Sequence, residues 1–273
     1  MSHTLLLRLA GPMQSWGVSS RFGIRETLAE PSKSGVIGLL CAALGWDRAD
    51  STYRIAGQER TLADLANLRF GVRVIREGVL RRDYHTAQNV LRAKAKLKPG
   101  RPANPGDLQD TVLSERYYLS DAYFLVGLES GDLPLLQALD AALAAPHWSL
   151  SLGRKSFVPA WPVRFAKVED GENNSAGLVQ QPLVAALLAA IDPVLVPEDT
   201  QKVYDGSAKE NLAQKTVRLV IDVEAVGSDP TLLAADYQMV IRAQRTDVPL
   251  SFEARRFAPR EVLTYVPPAY VPV

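Results

Sequence analysis

From Thr4 to Ser156 the apolar residues switch between the two-residue period of a strand and the 3.6-residue period of a helix, in the order β-α-β-β-α-β. Residues 4–9 (TLLLRL) read as a buried strand closed by Gly11-Pro12. In PSKSGVIGLLCAALG, Val36, Ile37, Leu40 and Leu44 recur at helical spacing; Ser32 or Ser34 can cap the start and Gly45 can end the helix. A short helix is expected over Leu62–Asn67 and a second strand over 68–76 (LRFGVRVIR). Tyr117–Leu128 reads as the third strand. Asp132 and Pro134 then open a helix over LLQALDAALAA, and residues 149–156 (SLSLGRKS) give a fourth strand running into a basic turn.

That order defines an α+β fold of the ferredoxin-like, RRM-type arrangement. It predicts one domain over residues 1–165 and a smaller, β-rich portion over 166–273. The latter has strand-like runs at 163–168, 216–226 and 237–243, a helix near Leu183–Ile191, and exposed loops at Gly171–Gly177 and Glu198–Gln214. The strand at 69–74 lacks the paired aromatics of an RRM, so stacking of bases on the sheet face is not expected.

Residues 78–116 interrupt the pattern. PGRPANPGD breaks any regular element, and a loop of this length in a compact domain is either functional or disordered. Charge concentrates in the same region: Arg69–Arg101 holds ten basic and two acidic residues, +8 locally on a chain of net charge +1. Such an imbalance marks local contact with a polyanion or a solvated loop.

Other classes of function are disfavoured. No apolar stretch approaches the roughly 20 residues of a membrane span, and MSHTLLLRLAGP lacks the features of a signal peptide, so a cytoplasmic protein is expected. The single cysteine, Cys41, excludes an internal disulfide and a thiolate zinc site. His3, His85 and His147 show no ligand spacing, so no cofactor is expected.

Several segments carry possible binding chemistry. Gln14 and Ser15 can hydrogen-bond phosphate, 2′-OH or a base edge; Trp16 is either a stacking face or core. Lys33 and Ser34 stand at a helix start, where free N–H groups and the helix dipole favour phosphate, or where an ordinary cap sits. Arg21 and Arg25 precede them in the loop and can line the same groove. Arg81, Arg82, Tyr84 and His85 suit phosphate pairing and stacking on a single strand. Tyr84 and His85 are alternatively a base and an acid for ribose cleavage. Arg154 and Lys155 follow Gly153 in a local anion site, but position 148 is tryptophan, so no Walker motif exists. Arg255 and Arg256 can reach phosphate, a partner or a surface ion pair.

The segments LLLRLAGPMQSWG, PSKSGVIGLLCAALG, DYHT, ERYYLSDA and LGRKS, with FEARRFAPREV near the end, resemble family five of the CRISPR-associated proteins, in the RAMP group, and its type I-E Cascade members in particular. The match runs through roughly residues 4–165; 170–250 carry no matching motif. The resemblance implies a non-catalytic subunit that holds the 5′ handle of crRNA at one end of a helical backbone of subunits, meeting target DNA only indirectly. A thumb-like hairpin, here about 78–116, would pack against RNA and the neighbouring backbone subunit, with the large PAM-reading subunit nearby. With the residue chemistry above, and for Gln14 and Ser15 largely on the resemblance, the expected RNA-binding set is Gln14, Ser15, Trp16, Arg21, Arg25, Lys33, Ser34, Arg81, Arg82, Tyr84, His85, Arg154, Lys155 and Arg256. In a related branch the family-five member cuts precursor crRNA, so a metal-independent endoribonuclease using Tyr84, His85 and a nearby lysine is the alternative.

Overall fold

The computed structural model describes residues 2–17, 20–21, 23–91, 108–166, 177–190, 218–226 and 236–267. Strand β1 (His3–Ala10) lies inside a seven-stranded sheet with both faces covered. Burial on both sides is the reason that TLLLRL is an unbroken apolar run and not an alternation. Three two-residue strands follow: β2 (Met13–Gln14), β3 (Ser20–Arg21) and β4 (Ile24–Arg25). Helix α1 (Lys33–Leu44) starts where Ser32 Oγ accepts from the Gly35 N–H and stops at left-handed Gly45, φ 77°. A small hairpin, β5 (Thr52–Ile55) and β6 (Gln58–Thr61), leads into α2 (Leu62–Ala66).

Next come β7 (Arg69–Arg76), β8 (Val79–Leu91), β9 (Leu108–Ser120), β10 (Tyr123–Ser130) and α3 (Leu133–Ala144), which Asp132 caps. The chain continues through β11 (Leu178–Val179), α4 (Leu183–Ala189), β12 (Arg218–Asp222), a short α5 (Val223–Val226), β13 (Gln238–Ser251) and β14 (Arg256–Val266). The large sheet has the order β11-β1-β10-β7-β12-β14-β13, and every neighbouring pair is antiparallel.

One face carries Leu5, Leu7, Leu9, Phe70, Val72 and Val74, packed under α1 and α3. The other carries Leu6, Leu125, Leu219 and Ile221, packed on α4. Helix α4 sits close to the sheet because Gly127 has no side chain: a Cβ there would lie 2.5 Å from Leu183 Cδ1. Charges complement the dipole of α4 at both ends. Glu129 accepts from the Leu183 N–H at 3.1 Å, and buried Arg73 donates to the carbonyls of Leu187 at 2.8 Å and Ala190 at 2.9 Å. Burial pulls the Arg73 pKa below the usual guanidinium range. Arg69 pairs with Glu129 at 3.1 Å. Two members of the basic segment are thus structural, and Arg92, Lys94, Lys96, Lys98 and Arg101 lie outside the described residues.

The structure corrects several expectations. Residues 149–156 form turns and no strand, with Gly153 at φ 93°; the sheet edge beside β1 is taken by Leu178–Val179, paired with Leu5 and Thr4. The expected strand at 117–128 is two strands, separated at Asp121 with φ 55°. The run at 163–168 is described as far as residue 166, and among those residues a single bridge forms, Arg164 to Leu7. Of the run at 216–226, the described residues, from Arg218 on, are strand β12 followed by helix α5, and β13 extends well past 243. Residues 78–116 contain regular structure after all, because β8 and β9, 13 residues each, pair along their length. PGRPANPGD, the loops at 171–176 and 198–214, and Ile191 lie outside the described residues. Strands β12, β14 and β13 continue the same sheet beyond β7.

Candidate nucleic-acid interface

The start of α1 is filled by the protein's own carboxylates. Lys33 is buried, and its Nζ donates to Asp222 Oδ2 at 3.1 Å. Its backbone N–H donates to Asp247 Oδ2 at 2.8 Å. Arg260 closes the group, donating to Asp247 at 2.6 and 2.9 Å and to Asp222, with its guanidinium 5.0 Å above the Phe70 ring. Burial works to raise the Asp247 pKa, but the Arg260 hydrogen bonds and charge, with the Lys33 N–H, hold it below the ordinary carboxylate value. The reading of Lys33 as a phosphate ligand is therefore wrong: Asp222 already neutralises its ammonium, Asp247 occupies its backbone N–H, and Ser32 Oγ takes the Gly35 N–H.

The loop after β1 is structural in the same way. Gln14 is fully buried; its Nε2 donates to the carbonyls of Leu9 at 3.0 Å and Ala122 at 2.8 Å, and its Oε1 accepts from Trp16 Nε1 at 3.1 Å. With both ends of the amide engaged, Gln14 has nothing to offer RNA, and that expectation is also corrected. Trp16 is 1% exposed, and its ring lies where a Cβ on Gly35 would be 2.9 Å away, so it is core and not a stacking face. Ser15 Oγ donates to the Tyr117 carbonyl at 3.2 Å, yet Ser15 borders a cleft.

That cleft, of about 280 Å³, is lined by Ser15, Arg25, Ser34, Arg154, Phe252 and Phe257 among others. Arg154 Nη2 donates to the carbonyls of Tyr117 at 2.9 Å and Arg25 at 3.3 Å, and its guanidinium lies 5.3 Å from the Phe157 ring centroid. Burial, and then the like charges of Arg116 and Arg25, hold the Arg154 pKa below its ordinary value against the opposing pull of Asp83. Arg25 and Arg116 are direct neighbours where β4 pairs with β9. Four expected residues thus converge from distant segments. Arg116, which the sequence reading missed, joins them; its signal was the alternation of ERYYLS, legible only once its strand partner is known. Lys155 is exposed beside Arg154, and of Arg21 only the backbone pairing to Ile24 is described.

Gly153 sets the position of Arg154. A Cβ there would lie 1.8 Å from the Ser15 carbonyl oxygen, and φ is 93°. Gly153→Ala should displace the turn, at a cost of about 1–3 kcal/mol from the backbone conformation alone. Thermal melts should show the loss, together with weaker polyanion binding.

The hairpin divides its residues between two faces. Cross-strand partners are Arg81 with Tyr118, Arg82 with Tyr117, Asp83 with Arg116, Tyr84 with Glu115 and His85 with Ser114. Side chains alternate along a strand. Arg81, Asp83 and His85 therefore share the face of Arg116 and Tyr118, which turns toward the cleft, since Tyr118 packs on Phe157 at 5.8 Å. Arg82 and Tyr84 occupy the other face, where Arg82 meets Glu115 at 3.4 Å. Arg255 and Arg256, both exposed, line a second cleft of about 820 Å³ that meets the first at Phe257. Among the described residues no helix is long and apolar enough to cross a membrane, and no three His, Cys, Asp or Glu side chains are grouped to hold a metal ion.

A mostly antiparallel α/β protein with a long β-hairpin over a guanidinium-crowded cleft is the class that these features define. The chain belongs to the CRISPR-associated protein (Cas_Cas5) family, whose model matches residues 4–263. It is 31% identical over 195 residues to the CRISPR system Cascade subunit CasD of Escherichia coli (strain K12), covering 67% of this chain and 79% of that one. A chain in a solved "CRISPR RNA-guided surveillance complex" is 30% identical with a TM-score of 0.60, covering 99% of this chain and 93% of that one. A "Cas protein" crystal structure is 33% identical with a TM-score of 0.56, covering 98% and 97%.

Proposed function

We propose that the protein is a non-catalytic, RNA-binding subunit of a CRISPR surveillance complex of the Cascade type, acting in antiviral defence. It holds the 5′ handle of crRNA at one end of the backbone of repeated subunits, near the large PAM-reading subunit. The observation that carries this reading is the crowding of Arg25, Arg116 and Arg154 at the hairpin base. Arg116 and Arg25 bring like charge onto an Arg154 that burial has already desolvated, with Asp83 opposing them. A phosphodiester relieves such crowding. The strand order β11-β1-β10-β7, which is fourth-first-third-second in chain order among those four, supports the ferredoxin-like reading of the fold, and the β8–β9 hairpin fits the thumb.

The endoribonuclease alternative needs a base and an acid at one scissile bond. Tyr84 and His85 are consecutive in β8 and project to opposite faces, which favours binding over cleavage by that pair.

The test is incubation of purified protein with repeat RNA in EDTA. Binding without cleavage is the expected result; a discrete cut would return the enzyme reading. Replacing Arg25, Arg116 and Arg154 together by glutamine should flatten the dependence of log affinity on log salt by about 2, at roughly 0.7 per phosphate contact on a single strand. An unchanged slope would place the RNA elsewhere.

A further inference from the structure

The second cleft is chemically unlike a random depression. Its wall combines Leu28, Leu250 and Phe257 with Arg245, Arg255 and Arg256, and no carboxylate lines it. Arg245 is anchored through Glu30, but its Nη1 is buried without a hydrogen-bond partner. Arg255 and Arg256 leave the turn between β13 and β14 exposed, and no ion pair to either occurs among the described residues. Arg255 adopts φ 50°, uncommon for a side chain of this size, so the tight turn itself presents the arginines outward. Phe257 is common to both clefts and forms the divide between them.

Resting on the RNA-binding reading above, we infer that the bound single strand continues past Phe257 and places at least one unstacked nucleotide in this second cleft. The base lies against Phe257, Leu28 and Leu250, where an aromatic face and apolar walls accept any base. The adjoining phosphates meet Arg255 and Arg256, and a base-edge or ribose acceptor meets Arg245. The strand thus turns around Phe257 instead of ending at Arg154. A volume of about 820 Å³ is ample for a nucleotide. An acidic protein segment is the competing occupant. Continuity with the Arg25–Arg154 cleft favours RNA, since a strand leaving that cleft across Phe257 enters this one.

The experiment compares Arg255→Gln/Arg256→Gln and Phe257→Leu with Arg25→Gln/Arg116→Gln/Arg154→Gln. All are titrated against 3′-fluorescein-labelled repeat RNA across a salt series, with melts to verify folding. The inference expects the Arg255/Arg256 pair to lose roughly tenfold in affinity near 0.15 M salt and to flatten the salt slope by about 1.4. It also expects Phe257→Leu to weaken binding without changing that slope. If only the Arg25/Arg116/Arg154 variant binds weakly, the second-cleft assignment falls and the RNA reading stands. If no variant changes binding, the RNA reading itself falls, and the inference with it. If the Arg255/Arg256 variant binds RNA normally but fails to enter the assembled complex, the cleft is a protein-docking surface and the inference is overturned.

Discussion

Asp247→Asn should destabilise the protein by about 3–5 kcal/mol, because it leaves Arg260 and the start of α1 facing an uncharged partner in a buried site. Asp247 is fully buried and receives both sides of the Arg260 guanidinium as well as the Lys33 N–H. The group joins β12, β13, β14 and the first turn of α1, so its loss loosens the outer half of the sheet from the helix. Denaturant unfolding at neutral pH measures the cost. The pH dependence supplies a second readout. The Asp247 pKa is lowered in the folded state, so its contribution is fully present above the unfolded value of about 3.9 and is lost as pH falls through the lower folded value. The wild type should therefore lose stability toward that acid window more steeply than Asp247→Asn. Parallel slopes for the two proteins would show that Arg260 does not depend on this carboxylate.

Local signals in the sequence were read correctly where the determining residues are neighbours. Ser32 and Gly45 bound α1, and Asp132 opens α3, because caps act within three or four residues. The misreadings come from partners far along the chain. Lys33 looked like an anion ligand because Asp222 and Asp247 are 189 and 214 residues away. Gln14 looked available because one of its acceptors, Ala122, is 108 residues away. Residues 149–156 alternate like a strand, but Gly153 must accommodate the Ser15 backbone, a demand that no local pattern displays. The site was legible in part for the same reason. Arg25 and Arg154 stood out by composition, whereas Arg116 joins them only through the register of β4 on β9. Arg81 and His85 could be separated from Arg82 and Tyr84 only once the segment was known to be a hairpin.

Trp16→Ala should cost about 3–5 kcal/mol of unfolding free energy, the usual range for emptying a buried aromatic site. The indole is enclosed by the main core and touches the helix at Gly35. Its Nε1–H also satisfies Gln14 Oε1, whose amide nitrogen in turn satisfies two buried carbonyls, of Leu9 and Ala122. Removing the indole therefore leaves a cavity and an unpaired amide oxygen, and the second penalty can be isolated. Gln14→Ala strips both carbonyls of their donor and should be costly by itself, at about 1–3 kcal/mol for each buried group left unmade. The double variant should be less destabilised than the sum of the two, because the Trp16–Gln14 hydrogen bond is counted in both singles. A stacking role predicts a different outcome: a folded Trp16→Ala protein that melts like the wild type and loses about 1–3 kcal/mol of RNA binding. Thermal melts paired with RNA titrations on the three variants separate the two cases. A normal melting temperature for Trp16→Ala would overturn the core assignment and restore the loop after β1 as part of the RNA surface.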